Sequence, residues 1–309
     1  MQAVDAVLRT RLRSEVVLIN QIAEYIITGG GKRMRPALTL LAAGSLGFTG
    51  HAKYELAALV ECIHTATLLH DDVVDESALR RGRETANALF GNAASVLVGD
   101  FLYTRAFQMM VEVDNMRIMQ VLSDVTNIIA EGEVMQLMNC HVPDVNEADY
   151  LQVIRCKTAK LFEAAARLGA MAAGAAPEIE AGLAAYGMRL GTAFQLVDDV
   201  LDYSGAEADT GKHLGDDLAE GKPTLPLIHV MQNGTAEEAA VVRHAIETGG
   251  RENFPAVLAA IRATGALEHA RHCARSEAKA AQDAISVLPD SQYREALIEL
   301  SAFAAERSH

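Results

Sequence analysis

Apolar residues recur at three- and four-residue spacing along most of the chain, which is the spacing of one face of an α-helix. Alternating runs of β-branched residues, the pattern of a half-buried strand, are nearly absent. The helical pattern is clearest over residues 56–69, 94–110, 121–138, 151–173 and 179–201. The hydrophobic pattern therefore predicts an all-α protein.

Breaks rich in glycine, proline or short polar residues separate these helical stretches. They fall at residues 29–31, 47–50, 80–85, 141–146, 174–177, 204–226 and 249–250. No intervening segment is rich enough in Pro, Gly or Ser to separate domains, and no repeat of 20–50 residues is visible. We therefore expect residues 1–309 to form one helical domain.

Composition narrows the classes of function. Half of the 309 residues are hydrophobic, which is enough for a substantial core. No apolar run approaches the roughly 18 residues of a membrane-spanning helix, and the N-terminus lacks the apolar segment of a secretory signal. The net charge of −14 argues against a nucleic-acid partner, which selects basic surfaces.

The cysteines indicate the compartment. Cys62, Cys140, Cys156 and Cys273 show no C-x-x-C spacing. This arrangement favours reduced thiols in a cytoplasmic protein over disulfide bonds or zinc ligands.

Two copies of one acidic pattern stand in apolar helical surroundings. They read DDVVD at residues 71–75 and DDVLD at residues 198–202. Positions i and i+4 share a helix face, so the first and last aspartates of each motif align. Because unpaired carboxylates among apolar residues are costly, such groups coordinate metal or bind cations. A few oxygen ligands, with room for water and phosphate, suit Mg²⁺. The motifs therefore predict a metal-held phosphorylated ligand.

Basic residues cluster after the first glycine run and after the first aspartate motif. The two clusters contain Lys32, Arg33, Arg35, Arg80, Arg81 and Arg83. Glycines let a backbone approach an anion, and Lys and Arg supply charge-assisted hydrogen bonds to phosphate. The alternatives are a solvated basic loop for the first cluster and charge balance of the aspartates for the second. His64, two turns before Asp71, shares its helix face, although a structural role is an equal alternative.

Isolated polar residues interrupt other apolar helices. Lys157 and Thr158 lie in one helix, and Gln195 precedes the second aspartate motif by one turn. Each of them alone is consistent with a satisfied polar group of the core. Residues 205–226 combine glycine, charge and proline, as does a lid over a water-sensitive site. A solvated surface loop is the alternative for this segment.

Together these elements resemble the trans-polyprenyl diphosphate synthase family. Besides both aspartate motifs, the matching elements are GKxxRP at residues 31–36, the Arg-Arg-Gly after the first motif, the Lys-Thr pair, the FQxxDD run and the GKxxGDDxxEGKPT loop. The match spans roughly residues 17–230. The stretches GNAASVLVGDF and AEGEVMQLMN are similar to bacterial octaprenyl diphosphate synthases. The resemblance implies the isoprenoid synthase fold, a large helical bundle with a central cavity, and a homodimer.

The resemblance also implies an activity. Members of the family are Mg²⁺-dependent prenyltransferases that condense isopentenyl diphosphate with an allylic diphosphate such as farnesyl diphosphate. The octaprenyl relatives make the ubiquinone side chain, so a long product is expected here.

Site roles follow from the resemblance, residue by residue. The diphosphate of isopentenyl diphosphate is assigned to Lys32, Arg35, His64 and Arg81. The diphosphate of the allylic substrate is assigned to Arg80, Lys157, Thr158, Gln195, Lys212 and Lys222. Mg²⁺ is assigned to Asp71, Asp75 and Asp198, with Asp72, Asp199 and Asp202 as nearby carboxylates. The catalytic set is Asp71, Asp72, Asp75, Lys157, Asp198 and Asp199.

Small residues before the first motif predict a long product. Ala66 lies five positions before Asp71, about 7.5 Å along a helix axis, and Thr67 is its neighbour. In short-chain family members an aromatic side chain here floors the pocket, whereas Ala and Thr leave it open. Candidates for a deeper floor, with ordinary core packing as the alternative for each, are Phe107, Met110, Met135 and Met138.

Several alternatives stay open. The enzymatic alternative is a shorter-chain synthase, such as a geranylgeranyl diphosphate synthase. A non-catalytic regulatory subunit would have lost aspartates or basic residues from its motifs, and both motifs here are intact. A terpene cyclase usually keeps one DDxxD, and a prenyl-lipid carrier needs no second acidic motif.

Overall fold

The structure is a computed structural model that describes residues 1–204 and 214–307. Its first ten α-helices are Gln2–Arg11 (α1), Val17–Thr28 (α2), Met34–Ser45 (α3), Ala52–Val74 (α4), Ala86–Phe90 (α5), Asn92–Glu112 (α6), Met116–Asn139 (α7), Glu147–Ile154 (α8), Lys160–Ala172 (α9) and Pro177–Ser204 (α10). The later ones are Asp216–Ala219 (α11), Leu225–Asn233 (α12), Ala236–Thr248 (α13), Phe254–Thr264 (α14), Ala266–Ala284 (α15) and Gln292–Glu306 (α16).

The all-α prediction is confirmed, with two local departures. A short antiparallel hairpin pairs Leu79–Arg80 (β1) with Arg83–Glu84 (β2) and begins one residue before the break predicted at residues 80–85. A π-helical turn, Arg155–Ala159, stands between α8 and α9, where the hydrophobic pattern predicted one uninterrupted helix. Such turns widen a helix locally and are frequent at functional sites.

The chain divides into two compact units, which are described separately. The first comprises Met1–Val125, Leu161–Gly187 and Ile285–Leu297, and the second comprises Thr126–Lys160, Met188–Ala284 and Ile298–His309. In the described parts of the chain, no helix is both long enough and apolar enough to span a lipid bilayer.

Helix α4 forms the centre of the first unit. It packs against α1, α3 and α6, and its side chains Leu56, Leu59 and Ile63 are fully buried. Burial of a side chain of this size stabilises the fold by about 1.5–3 kcal/mol. Because the helix ends at Val74, the first aspartate motif lies at the C-terminal end of α4, and the buried part of the helix fixes its position.

In the second unit, α12 packs against α8, α13, α14 and α15. Leu196, Val197 and Val200, from the last part of α10, lie in a buried cluster with residues of α8, α12 and α15. This cluster encloses the apolar side of the segment that carries the second aspartate motif.

Candidate active site

The first aspartate motif lies at the C-terminal end of α4, where half-buried Asp71 and Asp75 stand one turn apart. The backbone N–H of Asp75 donates to the carbonyl of Asp71 at 2.8 Å and closes the last turn. The C-terminal end of a helix carries partial negative charge, so carboxylates there are unfavourable unless a cation neutralises them. The position of the motif therefore favours binding of a metal ion or another cation.

Asp72, between these two aspartates, forms an ion pair with Arg80. Its carboxylate is buried and accepts from Nε of Arg80 at 2.7 Å, with Nη2 of the same guanidinium at 2.6 Å. Asn87 donates to the backbone carbonyl of Asp72 at 3.1 Å. Arg80 therefore neutralises the charge of Asp72, which is the charge-balancing role given as the alternative for the second basic cluster.

Arg35 and His64, which the resemblance assigns to the same diphosphate, are in contact in the structure. Nη1 of Arg35 donates to Nε2 of His64 at 3.1 Å, and its guanidinium lies 4.3 Å from the centre of the Phe162 ring. Lys32 lies in the segment before α3. Arg33 contacts a different group, since it has a left-handed backbone conformation and donates to the carboxylate of Glu61 at 2.6 Å.

Arg81 reaches the same region through the glycine run. Its guanidinium donates to the carbonyl of Gly30. Gly31 has φ +129°, and a Cβ there would lie only 2.5 Å from Nη1 of Arg81. The glycines therefore admit an arginine side chain at close range, a use that the sequence alone did not indicate.

The imidazole of His64 is held neutral. Burial, followed by the charges of Arg35, Arg81, Arg80 and Arg33, holds the pKa of His64 well below its ordinary value. Since Arg35 donates to Nε2, the ring proton belongs on Nδ1. The charges of these four arginines act together on the neutral ring, and a region of such positive charge suits an anion with several oxygens, such as a diphosphate.

Acid should destabilise the folded chain through His64. Between the folded pKa and the ordinary value near 6.5, the unfolded chain binds a proton that the folded chain excludes, so stability falls as pH falls. We expect Tm, measured without substrate, to fall by about 2–4 °C more between pH 7.5 and 5.5 in the wild type than in His64→Gln. His244→Gln, at an exposed histidine of α13, is the control and should follow the wild type. Parallel curves for the wild type and His64→Gln would contradict this prediction.

In the second motif, Asp199 is buried and receives two hydrogen bonds. The hydroxyl of Tyr150, on α8, donates to Oδ2, and Nε2 of Gln195 donates to Oδ1 at 2.8 Å. Oγ1 of Thr158 donates to Oε1 of Gln195 at 3.1 Å, which orients this amide. Burial and the charge of Asp217 raise the pKa of Asp199, so further cations are needed to keep it ionised. Thr158, Gln195 and Asp199 thus form one connected network.

Asp198 pairs with an arginine that sequence reasoning missed. Nη2 of Arg307, near the C-terminus, donates to Oδ1 of Asp198 and to the carbonyl of Phe194, each at 2.6 Å. The guanidinium lies 3.8 Å from the centre of the Phe194 ring, and the Arg307 side chain is only 3% exposed. In Asp202, Oδ1 accepts from the backbone N–H of Asp216 at 3.1 Å. Arg307 therefore orients one oxygen of a predicted metal ligand.

Lys157 projects from the π-helical turn, and its Nζ lies 2.5 Å from the carboxylate of Glu133. Gly132, on α7, lets that helix pack closely against the π-helical turn, because a Cβ there would lie only 2.6 Å from the backbone nitrogen of Lys157. Lys222 pairs with Glu220. Lys212, also predicted to bind the allylic diphosphate, lies outside the described residues.

The predicted chain-length residues occupy different environments. Ala66 is fully buried, and half-buried Thr67 donates to the carbonyl of His64 at 2.9 Å. Met135 lines a cavity of about 500 Å³ in the second unit together with Ile128 and Met188. Of the remaining candidates, Met110 is buried, whereas Phe107 is 40% and Met138 72% exposed.

The donor groups define the chemistry that each motif supports. Both offer carboxylate oxygens beside guanidinium groups, an arrangement that suits a hard divalent cation and an anionic ligand. The residues are thus suited to hold a metal–diphosphate complex.

Comparison with known proteins agrees with this chemistry. The sequence profile of the polyprenyl synthetase family matches residues 16–262. Octaprenyl diphosphate synthase of Escherichia coli (strain K12) is 56% identical, covering 99% of this chain and 95% of its own length. The Haemophilus influenzae octaprenyl diphosphate synthase is 54% identical, covering 100% and 94%.

A solved structure supports the same relationship. The polyprenyl synthase of Caulobacter crescentus CB15, crystallised with calcium and isoprenyl diphosphate, superimposes with a TM-score of 0.96 at 44% identity, covering 100% of this chain and 95% of that one. Its fold is the all-α isoprenoid synthase fold that the sequence predicted. The chain therefore belongs to the polyprenyl synthetase family of prenyltransferases.

Proposed function

We propose that this protein is a long-chain trans-polyprenyl diphosphate synthase that adds isopentenyl units to an allylic diphosphate and makes an octaprenyl product. The observation that carries the proposal is that both carboxylate motifs are complete and flanked by cations. The identity of 54–56% to octaprenyl diphosphate synthases supports the long-chain class. A role in supplying the ubiquinone side chain follows from that product class.

The metal in this proposal is Mg²⁺, held by Asp71, Asp75 and Asp198. The carboxylates fit a hard divalent cation, and the place of Asp71 and Asp75 at the C-terminal end of α4 favours one. Bound there, Mg²⁺ would neutralise the diphosphate of the allylic substrate. Asp72 and Asp199 act beside these ligands, since each is buried and held by hydrogen bonds.

The cationic and polar side chains divide between the two diphosphates. For isopentenyl diphosphate we propose Lys32, Arg35, His64 and Arg81, of which Arg35 and His64 are in contact. For the allylic diphosphate we propose Arg80, Lys157, Thr158, Gln195, Lys212 and Lys222, of which Thr158 and Gln195 are hydrogen-bonded.

These groups support a reaction of three steps. The allylic C–O bond breaks and leaves an allylic cation, while Arg80 and Lys157 hold the departing diphosphate. The double bond of isopentenyl diphosphate, oriented by Arg35 and His64, then attacks the cation and forms the new C–C bond. Loss of one proton, which the released diphosphate accepts, restores a double bond and completes the elongation. Water must be excluded because it would capture the cation.

The open alternatives are less well supported. The intact aspartates and their partners Arg80, Tyr150 and Gln195 argue against a non-catalytic regulatory subunit. The similarity to octaprenyl synthases argues against a short-chain, geranylgeranyl-type product.

A homodimer is part of the proposal. Helix α6 exposes large apolar side chains, among them Leu97 (67%), Phe107 (40%) and Val111 (62%). At 100° per residue these three positions fall within an arc of about 100° and form one face of the helix. An exposed apolar face is typical of a protein–protein interface. The cytoplasmic location stays a prediction.

An elongation assay tests the function. Purified protein with farnesyl diphosphate, labelled isopentenyl diphosphate and Mg²⁺ should give an octaprenyl product, identified by thin-layer chromatography after dephosphorylation. Reactions without the allylic primer, or with a chelator, serve as controls and should give none. A product ending at geranylgeranyl length would support the short-chain alternative. The absence of any elongation product would refute the proposed prenyltransferase activity.

A further inference from the structure

A second group of metal-binding side chains lies in the second unit, apart from the aspartate motifs in sequence. Glu147 is the first residue of α8, and His269 and Cys273 lie one turn apart on α15. Nε2 of His269 lies 3.6 Å from Oε2 of Glu147 and 3.7 Å from Sγ of Cys273. One ligand atom from each residue lies within 4.8 Å of the others. In the part of the chain that the structure describes, only these His, Cys, Asp and Glu side chains converge so closely.

The two distances from His269 match edges of a zinc tetrahedron. With Zn–N and Zn–O near 2.0–2.1 Å and Zn–S near 2.3 Å, tetrahedral geometry separates N from O by about 3.3 Å and N from S by about 3.6 Å. The observed 3.6 and 3.7 Å are close to these values. The third separation, between Glu147 and Cys273, is at most 4.8 Å against a tetrahedral edge of about 3.6 Å, so a cation needs side-chain movements of at most about 1 Å to take all three ligands.

We propose that Glu147, His269 and Cys273 form a binding site for Zn²⁺ or a chemically similar borderline divalent cation, with water as the fourth ligand. A thiolate and an imidazole select such a cation over Mg²⁺, which prefers oxygen ligands. The proposal revises the expectation that the cysteines are not zinc ligands. That expectation rested on the absence of C-x-x-C spacing, whereas here the ligands come from two helices.

The surroundings hold the site in shape. The ring of His229, on α12, stacks on that of His269 with centroids 4.4 Å apart and planes at 28°, which limits rotation of the ligand. Tyr150, one turn after Glu147, donates to Asp199. A cation bound at Glu147 would therefore tie α8 to α15 and hold the helix that orients an aspartate of the second motif.

Cobalt(II) tests the site because a thiolate ligand gives it a charge-transfer absorption that carboxylates alone do not give. The probe is Co²⁺ titrated into the chelator-treated full chain without Mg²⁺ or substrate. We expect one equivalent to produce the thiolate band, and one equivalent of Zn²⁺ to abolish it by displacement. Cys273→Ser should lose the band, and Glu147→Gln, at a side chain 39% exposed, should weaken Co²⁺ binding at least tenfold.

Cys156→Ser is the matched control, since Cys156 is also half-buried and also lies on a helical segment of the second unit. This variant should keep the band at full intensity. Absence of the band in the wild type, or its survival in Cys273→Ser, would overturn the proposal. Circular dichroism of each variant checks whether the fold is retained. If Cys273→Ser does not fold, Glu147→Gln supplies a second test.

Discussion

Replacing Asp71 by asparagine is expected to lower the rate of chain elongation by about three orders of magnitude. The change removes one of the carboxylates proposed to hold Mg²⁺ at the C-terminal end of α4. Weaker binding of the metal leaves the charge of the departing diphosphate less well neutralised. Metal-assisted charge stabilisation contributes several kcal/mol, and about 4 kcal/mol corresponds to a thousandfold in rate. Asp198→Asn should act similarly, because asparagine can still accept from Arg307 through its amide oxygen while its affinity for the metal falls. Steady-state assays over a series of Mg²⁺ concentrations measure both effects.

The control is Asp283→Asn, since Asp283 is 65% exposed and pairs with Lys279 on the surface of α15. An exposed pair contributes at most about 1 kcal/mol, so this variant should keep its rate and its Mg²⁺ requirement. Asp71→Asn should keep its fold, because Asp71 is half-buried and lies at a helix end. A folded Asp71→Asn variant with the wild-type rate would show that the first motif does not hold the metal.

Much of the fold could be predicted because the relevant signals are local. Four of the five predicted helical stretches lie within single helices, and the fifth, residues 151–173, covers the end of α8, the π-helical turn and α9 and ends one residue beyond α9. The family resemblance assigns Arg35 and His64 to one substrate, an assignment that stays a proposal, and the structure places the two side chains 3.1 Å apart.

What could not be predicted depends on contacts between distant segments. Tyr150 and Asp199 are 49 positions apart, and Arg307 and Asp198 are 109 apart, with no local spacing to connect them. The π-helical turn interrupts a continuous apolar pattern at the point where Gly132 of α7 approaches the backbone of Lys157. The proposed zinc site was missed for the same reason, since its ligands from α8 and α15 meet only in the fold. Pattern reasoning identifies candidate ligands, but their partners depend on tertiary structure.

Ala66→Phe is expected to shorten the product to about the three-unit class. Ala66 is fully buried on α4, about 7.5 Å along the helix axis from Asp71. A phenyl ring there would occupy the space into which the growing chain extends, so elongation should stop when the chain reaches it. Thin-layer chromatography of dephosphorylated products, with dimethylallyl diphosphate as the primer, measures the change. Thr67→Phe should shorten the product as well.

The buried position of Ala66 allows two explanations for any effect, and stability separates them. If the neighbouring space is a tunnel, the ring fits, Tm stays near the wild-type value and only product length changes. If the neighbouring space is packed core, the extra volume costs about 1–3 kcal/mol, so Tm falls by several degrees while the residual product keeps its length. Ala66→Val provides a graded control, because two added methyl groups should leave a long product. A stable Ala66→Phe variant with an unchanged product would place the tunnel elsewhere, and Met135, which lines a cavity of about 500 Å³, would then be the next position to test.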